Sequence, residues 1–360
     1  MPPIEPSLRR SLLTGASALA LSVVGSEARA QGTPPGQTIP PQVTLWVEGA
    51  LFYTAGGNFN IPSLPGLGPP FTSFSPQGGI EGAFGFDYRF DNDPLWHYVF
   101  DFRYGRSRTA TSSSSSSSST HSTSFKTNGL VSGVLQTTTI RTASSSSGAT
   151  QASEWGSHLV ADFMIGRDIG VGANVPELEL GLRIADLRAV AQAQETATLA
   201  TTTSIKRTFY QPTNFGGGFA RTTHSTSSSM SATSASATWN SEFFGFGPRA
   251  AVTGGVPIIG FWTFDYGAGV AGLFGPRSFS FNGSGIAGAG FFNTGPMGFV
   301  FNADGWGALS YWFTPNVKLS AGIRGDFYDS ALTTYNVNTG GLQTVSRLYW
   351  GPFVRLTGAF

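Results

Sequence analysis

The chain has 360 residues, of which 11% are charged, and its formal net charge is +1. This balance, without a basic patch, argues against nucleic acid as a partner. The absence of cysteine excludes a disulfide framework, so hydrogen-bonded architecture must stabilise the protein if it is exported. The 48 glycines and 13% aromatic residues, without a long apolar helix, are typical of a transmembrane β-barrel.

Residues 1–30 have the pattern of a cleavable secretory signal peptide. Arg9 and Arg10 supply positive charge, residues 11–25 form an apolar run, and Ala30 ends a small-x-small cleavage site. Residues 31–42 are rich in Pro, Gly and Thr and are expected to form a short periplasmic tail. The transmembrane β-barrel is predicted to occupy residues 43–360. Export and barrel composition together predict the outer membrane of a Gram-negative cell envelope as the location.

Ten segments alternate apolar and polar residues with the period of two that a β-strand requires. They comprise residues 43–54, 77–90, 95–108, 153–167, 175–189, 237–252, 258–274, 299–313, 317–328 and 344–360. Each is long enough to cross a bilayer as a tilted strand of about 9–11 residues. The alternation slips near Asp186, which predicts a β-bulge, and Pro248 interrupts the sixth segment.

The connectors between these segments alternate in length. Short connectors are predicted at residues 91–94, 168–174, 253–257 and 314–316, whereas the longest connector spans residues 107–152. This pattern predicts an all-β, antiparallel up-and-down barrel of about ten strands, with short periplasmic turns and long Ser/Thr/Gly-rich extracellular loops.

Two tracts of these long connectors are especially rich in Ser and Thr. They are residues 112–119, an unbroken serine run, and residues 222–238. Their composition favours solvated, extended or disordered loops. The alternative is that they prolong the strands above the membrane as polar hairpins.

The last predicted strand, residues 344–360, is amphipathic and ends in an aromatic residue. Leu348, Trp350 and Val354 share one face with Phe360, and the opposite face carries arginines. An amphipathic strand that ends in Phe resembles the signal by which outer-membrane barrels are recognised for assembly. This resemblance predicts Phe360 as an assembly signal and the barrel-assembly machinery as a partner, besides outer-membrane lipid.

The polar faces of the strands are predicted to line the lumen. The charged residues on these faces are Glu48, Glu81, Asp87, Arg89, Asp101, Arg103, Glu154, Asp162, Glu177, Glu179, Arg183, Asp265, Asp304, Lys318, Arg324, Asp326, Arg347 and Arg355. Charges in a confined lumen must be paired or hydrated. Acids outnumber bases in this set, so some carboxylates are expected to lack partners. The inward positions also include glycines that are expected to fill no space, namely Gly181, Gly267, Gly269, Gly322 and Gly351.

These features predict a narrow, water-filled lumen through which ions and small polar solutes diffuse passively, with a weak preference for cations. Ten strands lie between the eight-stranded barrels that side chains just fill and the open porins of 16 or more strands. Complete pairing of the charges would give the alternative, a structural or adhesin-type barrel with a side-chain-filled lumen.

No catalytic, cofactor-binding or metal-binding residue is predicted. The four histidines have no metal-ligand spacing, and the G-x-G-x-x-G match at residues 283–288 has no helical pattern behind it. An outer-membrane protease is the less favoured alternative, because His121 and His224 have no acidic neighbour to orient them. His158 shares a predicted face with Glu154 and Asp162, which indicates a polar lumen.

A family resemblance is present in the C-terminal third of the chain. Residues 242–249, EFFGFGPR, and residues 272–275, GLFG, resemble the F-x-G-x-G-P-R and L-L-x-G region of the Legionella-type major outer-membrane protein family, and residues 302–328 are similar as well. The resemblance implies a pore-forming barrel. Type members of that family are cross-linked through cysteine, which this chain lacks, so the sequence leaves the oligomeric state open.

Overall fold

The computed structural model describes residues 43–56, 77–91, 93–131, 134–169, 176–212, 218–284, 292–295, 297–336 and 341–360. The predicted signal peptide at residues 1–30 and the tail at residues 31–42 lie outside the described residues. All regular structure in the described ranges is β-strand. None of these segments forms a helix with the length and hydropathy needed to cross a membrane.

The described residues form twelve strands. They are β1 (Val43–Ala55), β2 (Gln77–Phe90), β3 (Asp93–Ser107), β4 (Ala110–Val131), β5 (Val134–Asp168), β6 (Glu177–Pro212), β7 (Gly218–Ile259), β8 (Trp262–Ser284), β9 (Phe292–Thr294), β10 (Met297–Thr314), β11 (Val317–Asn336) and β12 (Gly341–Ala359).

Ten of the strands close into an antiparallel barrel. The order around the barrel is β1, β2, β3, β5, β6, β7, β8, β10, β11 and β12, and the pairing of β12 with β1 completes the ring. These ten strands correspond to the ten segments predicted from the alternation, so the predicted up-and-down barrel is confirmed. Strands β4 and β9 lie outside the ring, where β4 pairs with β5 and β9 pairs with β8.

The short connectors lie together at one rim of the barrel. Val43 and Phe360 meet at this rim, where the Phe360 amide donates to the Val43 carbonyl at 2.8 Å. The turn between β7 and β8 is at Gly260 and Phe261, not at residues 253–257 as predicted. Gly260 has a φ of +57°, a left-handed conformation that glycine adopts without steric cost, so the chain reverses there. Pro257 is still paired, with Thr263 of β8.

The bulge predicted at Asp186 is absent from the described pairing. Asp186 pairs with Leu159 of β5 and Phe244 of β7 in an uninterrupted register. The strand keeps its period of two, but beyond this point the inward positions become apolar, beginning with the buried Leu187. The sequence pattern changes here because the inward residues change from polar to apolar, and not because the strand contains a bulge. Pro248 likewise leaves the alternation of β7 intact, because its side chain is exposed on the outer face.

The Ser/Thr tracts are strands rather than disordered loops, so the alternative of prolonged polar hairpins is the correct one. Residues 112–119 in β4 pair with residues 145–152 of β5, and residues 222–238 in β7 pair with residues 192–208 of β6. The sheet formed by residues 110–131, 134–152, 193–212 and 218–237 continues the barrel wall far beyond the opposite rim. We call it the Ser/Thr sheet.

Candidate functional site

The barrel lumen is the best-defined candidate site, and its charged side chains form one set of inward-facing positions. Every residue predicted to line the lumen is buried or half-buried, and on most strands its outward neighbours are more exposed. In β2, for example, Glu81 is buried and Ile80 exposed, as the alternation of side chains requires.

Arg183 of β6 lies at the centre of the largest charge network. Its side chain is fully buried, and its guanidinium donates two hydrogen bonds to Asp162 at 2.6 and 2.7 Å. A third donor reaches Asp304 of β10 at 2.8 Å, on the far side of the lumen. Arg249 of β7 binds the other oxygen of Asp304 at 2.9 Å. These bonds satisfy charges that would otherwise be very costly to bury.

A second network joins β1, β2, β3 and β11 across the lumen. Arg103 binds Asp326 at 2.7 Å. Arg324 binds Glu48 at 2.7 Å and also forms an ion pair with Glu81. Arg183 also lies 3.9 Å from Asp326, and Arg103 lies 3.9 Å from Asp162, so the two networks are joined across the lumen.

His158 and Arg355 extend this second network. The imidazole of His158 is 2.5 Å from Glu81, and its ring centroid is 4.3 Å from that of Tyr349. Arg355 binds Glu48 at 2.8 Å, and its guanidinium lies 5.0 Å above the ring of Trp306. Both side chains thus combine an ion pair with an aromatic contact.

Smaller groups pair the remaining predicted charges. Lys318 binds Asp265 at 2.6 Å, and Arg347 binds Glu154 at 3.1 Å. Arg103 also lies 3.2 Å from Asp101. Every basic residue of the predicted lumen therefore has a carboxylate partner.

Among the acids predicted to line the lumen, those without a basic partner lie at the short-turn end. Arg89 binds Asp168 at 2.9 Å and Glu177 at 2.6 Å. In the described part of the chain, no basic side chain lies within ion-pair distance of Asp87 or Glu179. Glu179 instead accepts a hydrogen bond from a threonine hydroxyl of β7. The expectation that some acids lack basic partners thus holds at this end alone.

The inward glycines do not leave open space, contrary to the expectation from the sequence. A methyl group on Gly269 would lie 2.8 Å from Nη2 of Arg249, and one on Gly267 would contact the ring of Trp306. At Gly181 it would lie 2.7 Å from a backbone carbon of β5. Gly322 and Gly351 have similarly close backbone neighbours. These glycines make room for large side chains or for closely approaching strands.

An apolar cluster fills the lumen on the Ser/Thr-sheet side of the polar networks. Its largest buried members are Phe52, Leu187, Trp239, Phe243, Leu273, Phe279, Tyr328, Leu332 and Tyr349. Glu195 lies beyond this cluster on β6, and burial raises the pKa of its carboxyl. A polar section and an apolar section therefore occupy the interior in series.

Sequence reasoning missed several inward residues. Arg249 was overlooked because Pro248 suggested an irregular strand, although Arg249 keeps the phase of the inward Phe243. Asp168 was assigned to a turn, but it ends β5 and points to Arg89. If the period of two is continued past Pro248 and to the end of β5, it assigns both side chains to the inward face.

No protein family and no curated protein matches this chain. Among solved structures, it is similar to the translocator domain of the autotransporter NalP from Neisseria meningitidis, with 10% identity over 98% of each chain and a TM-score of 0.27. It is also similar to the outer membrane protease OmpT from Escherichia coli, with 9% identity over 91% of this chain and 100% of that chain and a TM-score of 0.31. A FadL homologue from Pseudomonas aeruginosa has 10% identity over 89% of this chain and 91% of that chain, with a TM-score of 0.25. At these values the likenesses carry no argument about what this chain does.

Proposed function

We propose that the protein is an outer-membrane β-barrel with a side-chain-filled lumen, which anchors the Ser/Thr sheet and presents it outside the cell. The observation that carries this proposal is the pairing of the buried lumen charges across the barrel. A structural or adhesin-type role follows, because the interior is occupied and the largest exposed polar surface is the sheet.

Membrane residence is supported by the outer face of the barrel. Large apolar side chains on this face are exposed on every strand of the ring, which a protein in water rarely tolerates. Examples are Leu51, Ile80, Leu180, Phe264, Leu309, Ile323 and Val354. Lipid contact with this band accounts for their exposure. Phe360 at the short-turn rim is the residue that we assign to recognition by the barrel-assembly machinery.

Two observations support the proposed filled lumen. Ion pairs bridge opposite walls in the polar section, and aromatic and aliphatic side chains close the apolar section. Passage of a hydrated ion would require several of these pairs to break at once, each at the cost of a buried unpaired charge.

A narrow diffusion channel is the second candidate, and one specific observation favours it. Several buried polar atoms have no hydrogen-bond partner within the described residues, including Asp87 Oδ1, Arg103 Nε and Tyr328 Oη. Buried polar atoms of this kind are commonly satisfied by water. A chain of such waters would support slow passage of small ions. The resemblance to the Legionella-type major outer-membrane protein family implies the same function.

We assign no catalytic role to the lumen. His158 is buried against Phe52 and Tyr349 and is bound to Glu81, so it has no face open to a substrate. His121 and His224 are exposed on the Ser/Thr sheet, opposite Ala143 and Lys206 respectively. Neither pairing supplies the acidic partner that would orient a catalytic imidazole.

Surface labelling of single-cysteine variants tests the proposed orientation, and the cysteine-free chain gives no background. Ser118→Cys and Ser227→Cys lie on the Ser/Thr sheet, whereas Asn316→Cys lies in a short turn at the opposite rim. A membrane-impermeant maleimide added to intact cells is expected to label the first two variants and not the third. All three should react after the cells are lysed. Labelling of Asn316→Cys from outside would reverse the orientation and remove the proposed role.

A further inference from the structure

A cluster of side chains at the short-turn end of the lumen stands apart from the networks of Arg183 and Arg324. Asp87 of β2, His97 of β3 and Glu177 of β6 come from three separate strands, and each contributes a ligand atom within 4.8 Å of the others. We propose that these three residues bind a divalent transition-metal cation.

His97 is the observation that points to a ligand. Its side chain is fully buried, and neither ring nitrogen has a hydrogen-bond partner within the described residues. A buried imidazole without a partner is costly, because at least one nitrogen must carry a proton or offer a lone pair. Nε2 lies 3.9 Å from Glu177 and Nδ1 lies 3.8 Å from Asp168. Both separations are too long for hydrogen bonds. The Nε2–Glu177 separation suits two ligands of one cation after a small contraction, whereas Asp168 faces the other nitrogen and can orient the ring.

The charge of the surroundings favours a cation. Four carboxylates meet here, those of Asp87, Asp168, Glu177 and Glu179, and among the described residues Arg89 pairs with two of them, Asp168 and Glu177. Oδ1 of Asp87 and Oδ1 of Asp168 are buried without hydrogen-bond partners. A divalent cation would offset the excess negative charge and bind the Asp87 oxygen.

The backbone of β5 leaves space for the imidazole of His97. A methyl group on Gly166 of β5 would collide with the His97 ring, so only glycine at this position leaves room for the imidazole. Arg89 holds Asp168 and Glu177 by ion pairs from the side, as outer-sphere groups commonly orient metal ligands.

The donor set indicates the class of metal. One imidazole nitrogen with two or three carboxylate oxygens suits Zn²⁺ or Mn²⁺ better than metals that need thiolate. The side chains of Asp168 and Glu177 are 16% and 24% exposed, so a cation can enter from the short-turn rim. No metal-ligand spacing marks this set in the sequence, because its members come from three strands and Glu177 is far along the chain from the other two.

Equilibrium dialysis against Zn²⁺, with untagged protein refolded in detergent and its zinc measured by atomic emission, tests the site. Wild-type protein is expected to bind one zinc per barrel. His97→Gln should weaken this binding by at least about tenfold, because it removes a ligand. His158→Gln is the matched control, because His158 is also a buried histidine but is bound to Glu81. The zinc affinity of this variant should stay within about twofold of the wild-type value.

Heat-modifiable electrophoretic mobility is used to show that each variant is folded. If His97→Gln does not fold, Asp87→Asn provides the same comparison, and it too should lose at least about tenfold in affinity. Folded wild-type protein that retains no zinc would overturn the proposal. Equal affinity in wild type and the His97 or Asp87 variant would also overturn it, because zinc would then be bound elsewhere.

Discussion

At the residue scale, Arg183 shows how much of the interior depends on single charges. Replacing it with methionine keeps most of the volume but removes both hydrogen bonds to Asp162 and leaves Asp304 with Arg249 alone. We expect Arg183→Met to lower the free energy of unfolding by about 3–5 kcal/mol, measured by urea titration in lipid vesicles. Arg207→Met is the control on the same strand, because Arg207 is exposed. It should change stability by no more than about 0.5 kcal/mol. Equal losses in the two variants would mean that the buried network adds nothing.

Glycine positions give a second prediction at this scale. A methyl group at Gly181 would meet the backbone of β5, whereas nothing lies within 4 Å of the corresponding position at Gly49. Because a backbone neighbour cannot rotate away, Gly181→Ala should cost about 1–3 kcal/mol. Gly49→Ala should be close to neutral, since its methyl group would face open surroundings. The same urea titration compares them, and a neutral Gly181→Ala would contradict the close approach of the strands.

Which residues point inward was accessible from the sequence, because a period of two assigns each side chain to a face. The partners of those residues were not accessible. Arg103 and Asp326 are 223 positions apart, and their contact depends on how the sheet closes. The sequence also could not show that the space beside the inward glycines is occupied. The ring of Trp306, from another strand, lies where a side chain at Gly267 would be.

At the scale of the element, each barrel strand should have one face in lipid. Ile323 lies near the middle of the membrane portion of β11 and is 63% exposed. An arginine there should cost about 2–4 kcal/mol, as is found for basic residues at the midplane of barrels. Met230 is the control, an apolar residue of β7 that is 74% exposed but lies on the Ser/Thr sheet. Unfolding in vesicles should show a much smaller loss for Met230→Arg. Similar losses for both variants would place the lipid boundary elsewhere.

The length of the strands could not be read from the sequence alone. An unbroken serine run has no contrast between odd and even positions, so periodicity cannot report a strand there. The strands β4 to β7 exist because each pairs with a neighbour over its whole length. Backbone hydrogen bonds between adjacent strands, rather than burial of side chains, stabilise these Ser/Thr-rich segments as strands. The apolar barrel strands, where polarity does alternate, were located correctly.

At the scale of the whole molecule, the barrel is narrow enough for side chains from opposite walls to touch. Ten strands give an interior that long charged residues can span. The ion pairs Arg103–Asp326 and Arg183–Asp304 cross this interior, and an apolar section lies above them. Closure of the ring therefore determines both the fold and which charged side chains meet across the lumen. The number of strands was predicted correctly from the sequence, whereas the occupancy needed the three-dimensional pairing.

Conductance of the purified protein in a planar lipid bilayer tests the filled lumen most directly. Flotation with vesicles and heat-modifiable mobility confirm beforehand that the barrel is inserted and folded. We expect no discrete current steps from the wild-type protein at moderate voltage, because its lumen charges are paired and its apolar section is closed. Reproducible single-channel steps would contradict this expectation. Their reversal potential under a salt gradient would then show whether the carboxylates at the short-turn end select cations.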